Sequence, residues 1–195
     1  MVVNQREPEL FYVPPTAHSP NSALPVIVYR DAFINRTLEG VLEDMETSEW
    51  VKGGHWKIKQ ESLAAVPHYH GITHEAYSVL SGSGTYLLGK SPLDPDTDEN
   101  GNPVGVKFTA RPGDMFVWPA GVTHCVADAE DGYEIVGFYS LNSQNSIEEP
   151  YDMEYSLDSV EETNKKRQKC ELVPTPVHDP IYGKEGPLPK LWRKE

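Results

Sequence analysis

The chain has 195 residues, a formal net charge of −13, a pI near 4.9 and 38% hydrophobic residues, which suits one domain with its own core. A polyanion of this kind is repelled by nucleic acid and by anionic membrane surfaces, so neither is an expected partner. No stretch is apolar for long enough to span a membrane and residues 1–7 lack the apolar run of a signal peptide, which makes the cytoplasm the expected compartment.

Residues 1–24 carry Pro8, Pro14, Pro15 and Pro20 among polar residues and read as an extended arm. The run 24–29 is apolar and β-branched and predicts a strand. A peripheral helix is expected near 35–47, with Asn35 as N-cap and Leu38, Val41, Leu42 and Met45 on one face. Its acidic face, Glu39, Glu43, Asp44 and Glu46, is read as solvated. From Trp50 to Leu141 the texture becomes short strands punctuated by Gly, Pro and Asp. They are expected at 56–60, 66–71, 75–80, 84–89, 106–110, 114–118, 123–127 and 133–139, which indicates a sandwich or barrel.

The loop 91–105 alternates carboxylates as a calcium loop does, but it has no flanking helices and no glutamate at the twelfth position. It reads as an exposed acidic hairpin loop. Ser159 and Glu162 form a capping box that opens a weakly anchored surface helix through about Cys170, whose apolar face rests largely on Val160. Cys125 and Cys170 lack the framework of further cysteines that a disulfide scaffold would show and are read as reduced thiols. Residues 172–195 are again Pro-rich, and Trp192 is placed to pin this tail to the barrel or to a second subunit. The division is thus an arm over 1–24, a barrel with its peripheral helix over 25–142, and a C-terminal helix and tail over 143–195.

The chemistry is concentrated in two stretches. His68 and His70 stand two apart, so on a strand they share a face. Glu75 follows after a turn, and His124 comes after Pro119 and Gly121 some fifty residues on. Three imidazoles and one carboxylate suit one divalent transition metal (manganese, iron, nickel or zinc) and carry too few oxygens to favour calcium or magnesium. No organic cofactor is expected. His74 is a candidate proton shuttle beside Glu75. Tyr77 shares the parity of Glu75 and is a candidate catalytic and substrate-binding hydroxyl. His55, in the preceding strand, is a candidate for the substrate-binding mouth.

The order His68, His70, Glu75, Gly82 resembles the first cupin motif, and Gly113, Pro119, Gly121, His124 resembles the second. Ser62 stands where the first motif usually has glycine and Asp128 where the second usually has asparagine; neither position is a metal ligand in the family. The runs 68–84 and 178–192 are further similar to the small single-domain cupins of YjlB type, and that likeness covers most of the chain. The resemblance implies an all-β fold, a cupin jelly-roll β-barrel with short peripheral helices and extended Pro-rich termini. It also implies a homodimer, since cupins commonly pair through edge strands and exchanged arms.

A metal held by four protein groups would leave about two positions open for a small oxygenated substrate. Three functions follow. The leading one is a metal-dependent enzyme using acid–base and Lewis-acid chemistry, as a lyase, decarboxylase, dehydratase or isomerase. The second is an iron-dependent dioxygenase on the same ligands. The third is a non-catalytic small-molecule binding barrel. The fold does not choose among them.

Overall fold

The computed structural model describes residues 7–63, 66–130 and 132–193. Two antiparallel sheets face one another. The six-stranded sheet runs in the order β1 (Glu9–Val13), β2 (Ser22–Tyr29), β8 (Met115–Trp118), β5 (Glu75–Ser81), β10 (Tyr133–Ser140), β3 (Trp50–Ile58). The five-stranded sheet runs β11 (Glu154–Tyr155), β4 (His68–Tyr69), β9 (His124–Ala129), β6 (Gly84–Leu88), β7 (Val106–Ala110). This is a jelly-roll β-barrel, as expected.

The central strands β2, β8, β5 and β10 of the larger sheet are largely buried on both faces, while its edges β1 and β3 are partly exposed. Val26 and Val28 of β2, Tyr77 and Val79 of β5 and Phe116 and Trp118 of β8 turn into the barrel, where they meet Tyr86, Leu88 and Phe108 of the second sheet. Their strand neighbours Ile27, Tyr29, Ala76, Met115 and Val117 form a second core on the outside. That outer core is covered by Val41 and Met45 of α1 (Leu38–Asp44) and by Ile181, Leu188 and Trp192 of the tail. Period-two alternation therefore feeds two cores from one sheet.

Several peripheral expectations are corrected. The helix α1 starts two residues later than the Asn35 cap implied: Thr37 is the N-cap, its hydroxyl accepting from Gly40 N at 3.1 Å. Asn35 instead accepts from the Thr37 hydroxyl at 2.9 Å, which orients the cap. Leu42 stays exposed on the helix. Part of the N-terminal arm is a strand, β1, hydrogen-bonded to β2; residues 1–6 of the arm and 194–195 of the tail lie outside the described residues. The loop 91–105 is docked at its base, because buried Asp94 accepts from Thr16 Oγ1 at 2.6 Å and from Ser91 N at 2.9 Å.

The helix α2 (Val160–Cys170) has the expected Ser159 cap but not the expected anchor. Val160 is half exposed, and buried Thr163 and Cys170 face the barrel. Arg167 ties the helix down by donating to Pro20 O and Thr16 O, both at 2.9 Å. Both cysteines are free thiols. The tail is held by Trp192, fully buried, whose Nε1 donates to Pro25 O at 2.9 Å. Asp179, also fully buried, accepts from Ile181 N, Leu188 N and the Tyr29 hydroxyl.

Candidate metal centre

Strand register brings the expected ligands together. The β4–β9 pairing sets His68 directly opposite His124. His70 follows at the end of β4, and its carbonyl accepts from Gly121 N at 2.9 Å. Gly121 takes φ +86, and a Cβ there would lie 2.9 Å from Asn21 O, so the turn carrying His124 into the barrel requires glycine. Glu75 opens β5, paired with Trp118 of β8 on one side and Tyr139 of β10 on the other.

The possible ligand atoms of His68, His70 and His124 all lie within 4.8 Å of one another. Each imidazole is oriented in the same way. Nδ1 of His68 lies 3.2 Å from Val66 O, that of His124 lies 2.9 Å from Val122 O, and that of His70 contacts Asp152 O. A ring that donates its Nδ1 proton to a carbonyl presents Nε2 as a bare acceptor, the form that ligates metals. Glu75 Oε2 stands 3.1 Å from His70 Nε2 and 3.2 Å from His124 Nε2. Yet both Nε2 atoms and Glu75 Oε1 are buried without a hydrogen-bond partner among the described residues. Orphaned polar atoms are costly in a protein interior. Three converging imidazoles, two with orphaned Nε2 atoms, fit a bound divalent transition metal, and the Glu75 carboxylate stands against two of them.

The carboxylate and the imidazoles shift one another's ionisation. Burial alone would raise the Glu75 carboxyl, but the adjoining His70 and His124 imidazoles outweigh it and hold the group well below the usual range. Burial also opposes charge on His70, where the Glu75 carboxylate wins and raises the ring. At His68 burial and the two imidazole neighbours outweigh the Glu75 charge and the Val66 carbonyl, pushing the ring down to about 3 and keeping it neutral. Tyr77 and Tyr139 are raised, first by burial and then by the Glu75 charge, so both stay phenolic.

Tyr77 lines the cavity with His68 and His124. His74 does not reach it. Although buried, it has Nδ1 accepting from Ala120 N at 3.0 Å and Nε2 3.1 Å from Pro174 O, with its ring against Trp192 at 4.8 Å. Neighbours in an extended chain point oppositely, so facing Glu75 inward sends His74 out into the tail's packing. The proton-shuttle role is therefore replaced by an anchoring one. His55 is also displaced: its Nε2 pairs with Glu134 Oε1 at 2.7 Å on the outer face, while Trp56 takes the place at the mouth.

Four site residues escaped sequence reasoning. Trp118 Nε1 donates to Glu75 Oε2 at 2.9 Å. Asp152 holds His70 through its carbonyl and the following turn through its carboxylate, which accepts from Gly71 N at 2.8 Å and Ile72 N at 3.2 Å. Tyr139 and Tyr151 stack at 4.3 Å, both edge-on to His70. Trp118 and Tyr139 were legible as inward positions of strands, but Asp152 and Tyr151 lie in a connection with no periodicity to read.

Fold and cluster together define a jelly-roll barrel with an interior three-histidine cluster beside one buried carboxylate. The family profile described as Cupin matches residues 58–160, more than half of the chain, and the chain belongs to the cupin family. It is 26% identical over 193 residues to the Uncharacterized protein YjlB of Bacillus subtilis (strain 168), covering 97% of this chain and 99% of that protein. Among solved structures, RmlC from Streptococcus suis aligns over 71% of this chain and 73% of its own, at 10% identity and a TM-score of 0.34. The coconut allergen cocosin aligns over 46% of this chain and only 20% of its own, at 14% identity and a TM-score of 0.32. Structural likeness at that level carries no argument here.

Proposed function

We propose that the protein is a metal-dependent enzyme acting on a small oxygenated organic molecule by Lewis-acid and acid–base chemistry, as a lyase, decarboxylase, dehydratase or isomerase. The observation that carries this reading is the shared orientation of the three histidines, each Nδ1 on a main-chain carbonyl and each Nε2 turned towards one cluster. His68, His70, His124 and Glu75 would hold the ion. When bound, a divalent metal polarises a carbonyl or hydroxyl oxygen and stabilises the negative charge that develops on it. Glu75 contributes a fixed negative charge, kept in place by the Trp118 indole. Tyr77 and Tyr139, held protonated, offer neutral donors to an oxyanion. The aromatic walls exclude water from the reacting end.

A second reading, an iron-dependent dioxygenase, gains from the displacement of His74. Without it, the described groups facing the cluster include no side chain beyond the ligands suited to shuttling protons near neutral pH. We also propose a homodimer formed through the sheet edges, with β1, β3, β7 and β11 as the candidate edges. Among the described residues no helix is long and apolar enough to cross a membrane, and we propose a cytoplasmic location.

The test is metal content by mass spectrometry on protein purified without an affinity metal, beside His124→Ala. About one equivalent in the wild type, lost in the variant, supports the metal reading. No metal, and none taken up on reconstitution, would sink it. Substrate turnover without oxygen then separates the first reading from oxygen consumption with iron.

A further inference from the structure

The cavity in front of the histidines has about 390 Å³, enough for a small organic ligand. Its walls are set by Trp56, Tyr77, Ile135, Tyr139, Tyr151 and Met153. Among the described residues lining it there is no carboxylate, and the only amine is that of Lys57. That side chain is 73% exposed, with its Nζ 3.5 Å from Glu134, the residue that also pairs with His55. Among the described residues no arginine lines the cavity to clamp a phosphate or a second carboxylate.

The aromatic wall depends on close approaches to bare backbone. A Cβ on Gly53 would lie 2.0 Å from the Tyr139 ring. One on Gly137 would lie 2.7 Å from Trp56 and 2.9 Å from Tyr77. Gly54 and Gly137 are direct partners across β3 and β10. Glycine on two adjacent strands thus lets three rings lie against the sheet. At the mouth, Trp56, Tyr151 and Met153 remain exposed at 36%, 37% and 48%, an apolar rim continuous with the interior.

We propose that this site takes an uncharged, flat, ring-bearing molecule with one or two oxygen donors at one end, and discriminates against dianions such as dicarboxylates and sugar phosphates. The oxygen end points to the histidines and the Tyr77 hydroxyl. The ring is held by Trp56 and by the Tyr139–Tyr151 stack, through area burial and offset or edge contacts. A dianion would be desolvated among these rings with only the metal and the exposed, Glu134-paired Lys57 amine to compensate. The inference rests on the reading of the cluster as a metal site.

The probes are catechol and 2-oxoglutarate, both oxygen chelators, one uncharged and aromatic at neutral pH and the other a dianion. Calorimetric binding is measured on zinc-loaded protein, with zinc quantified in the same sample. Catechol should bind at least about tenfold more tightly, and Trp56→Ala or Tyr151→Ala should each weaken it by roughly three- to tenfold, as expected for losing a ring contact. Both substitutions should weaken 2-oxoglutarate clearly less than catechol, and Trp56→Phe should restore most of the catechol affinity. Thermal melts check that the variants are folded.

Equal or tighter binding of 2-oxoglutarate, or catechol affinity indifferent to both alanine variants, overturns the inference while the measured zinc leaves the metal reading standing. If no zinc is retained, the metal reading has failed instead. The same ranking on metal-free protein then supports an apolar ring-binding cavity, and its reversal rejects one.

Discussion

The Trp118 indole donates to Glu75 Oε2 at 2.9 Å, across the register pair that joins β8 to β5. The same carboxylate oxygen lies 3.1 Å and 3.2 Å from the Nε2 atoms of His70 and His124. A hydrogen bond from a core tryptophan therefore helps set where the carboxylate beside the cluster sits. Trp118→Phe keeps most of the packing and removes that donor. We expect metal affinity to fall by about 10–100-fold, the range seen when partners that orient ligands are lost. Metal titration of the two proteins checks this, and unchanged affinity would show that the hydrogen bond does not position Glu75.

Asp152 secures the turn after β4 from the connection between β10 and β11. Asp152→Ala leaves its carbonyl for His70 but removes the acceptor for Gly71 N and Ile72 N. The loss should be about 1 kcal/mol, since both donors are only partly buried. Asp152→Asn keeps an accepting oxygen and should recover most of it. Urea denaturation of the three proteins decides; equal losses in both variants would point to charge instead of hydrogen bonding.

His74 separates packing from chemistry. His74→Ala should retain the metal and bind cavity ligands normally, yet lose about 1–3 kcal/mol because Ala120 N and Pro174 O lose their partner. Trp192→Ala should cost more, about 3–5 kcal/mol for a fully buried indole. Metal loss in His74→Ala with stability intact would return the residue to the site.

Cys170 gives a pH dependence. Burial, then the Asp152 charge, pushes its thiol from 9.0 up to about 12. Between those values the unfolded chain gives up the thiol proton while the native protein keeps it. Stability contributed by the raised group is therefore complete below pH 9 and declines as pH rises towards 12. Cys170→Ala should flatten the fall in stability between pH 8.5 and about 10, measured by denaturant titration at each pH. Iodoacetamide should correspondingly label Cys170 slowly in native protein and fast in urea. Parallel pH curves for the two proteins would refute the shift.

The amino-acid sequence by itself determined an all-β sandwich or barrel and the metal-ligand candidates: local period carried the strands and the shared face of His68 and His70, and the likeness of the two motifs to those of cupins carried the jelly-roll barrel and the place of Glu75 and His124. Alternation placed the eight core strands within a few residues of their observed positions, apart from β3, which begins six residues before the expected 56. It also set His68 and His70 on one face, and Tyr77 beside Glu75 on the inner one. Tertiary structure decided what period leaves open. Whether His74 or Trp118 serves Glu75 depends on which strand lies alongside β5, and a pairing between residues more than forty apart is not written in either segment. The Thr37 cap, the docking of Asp94 and the seat of Trp192 were settled in the same way, by partners distant in the chain or by competition between adjacent polar groups. Long-range contacts of this kind follow from packing two sheets and a tail around two cores, and only the assembled fold specifies them.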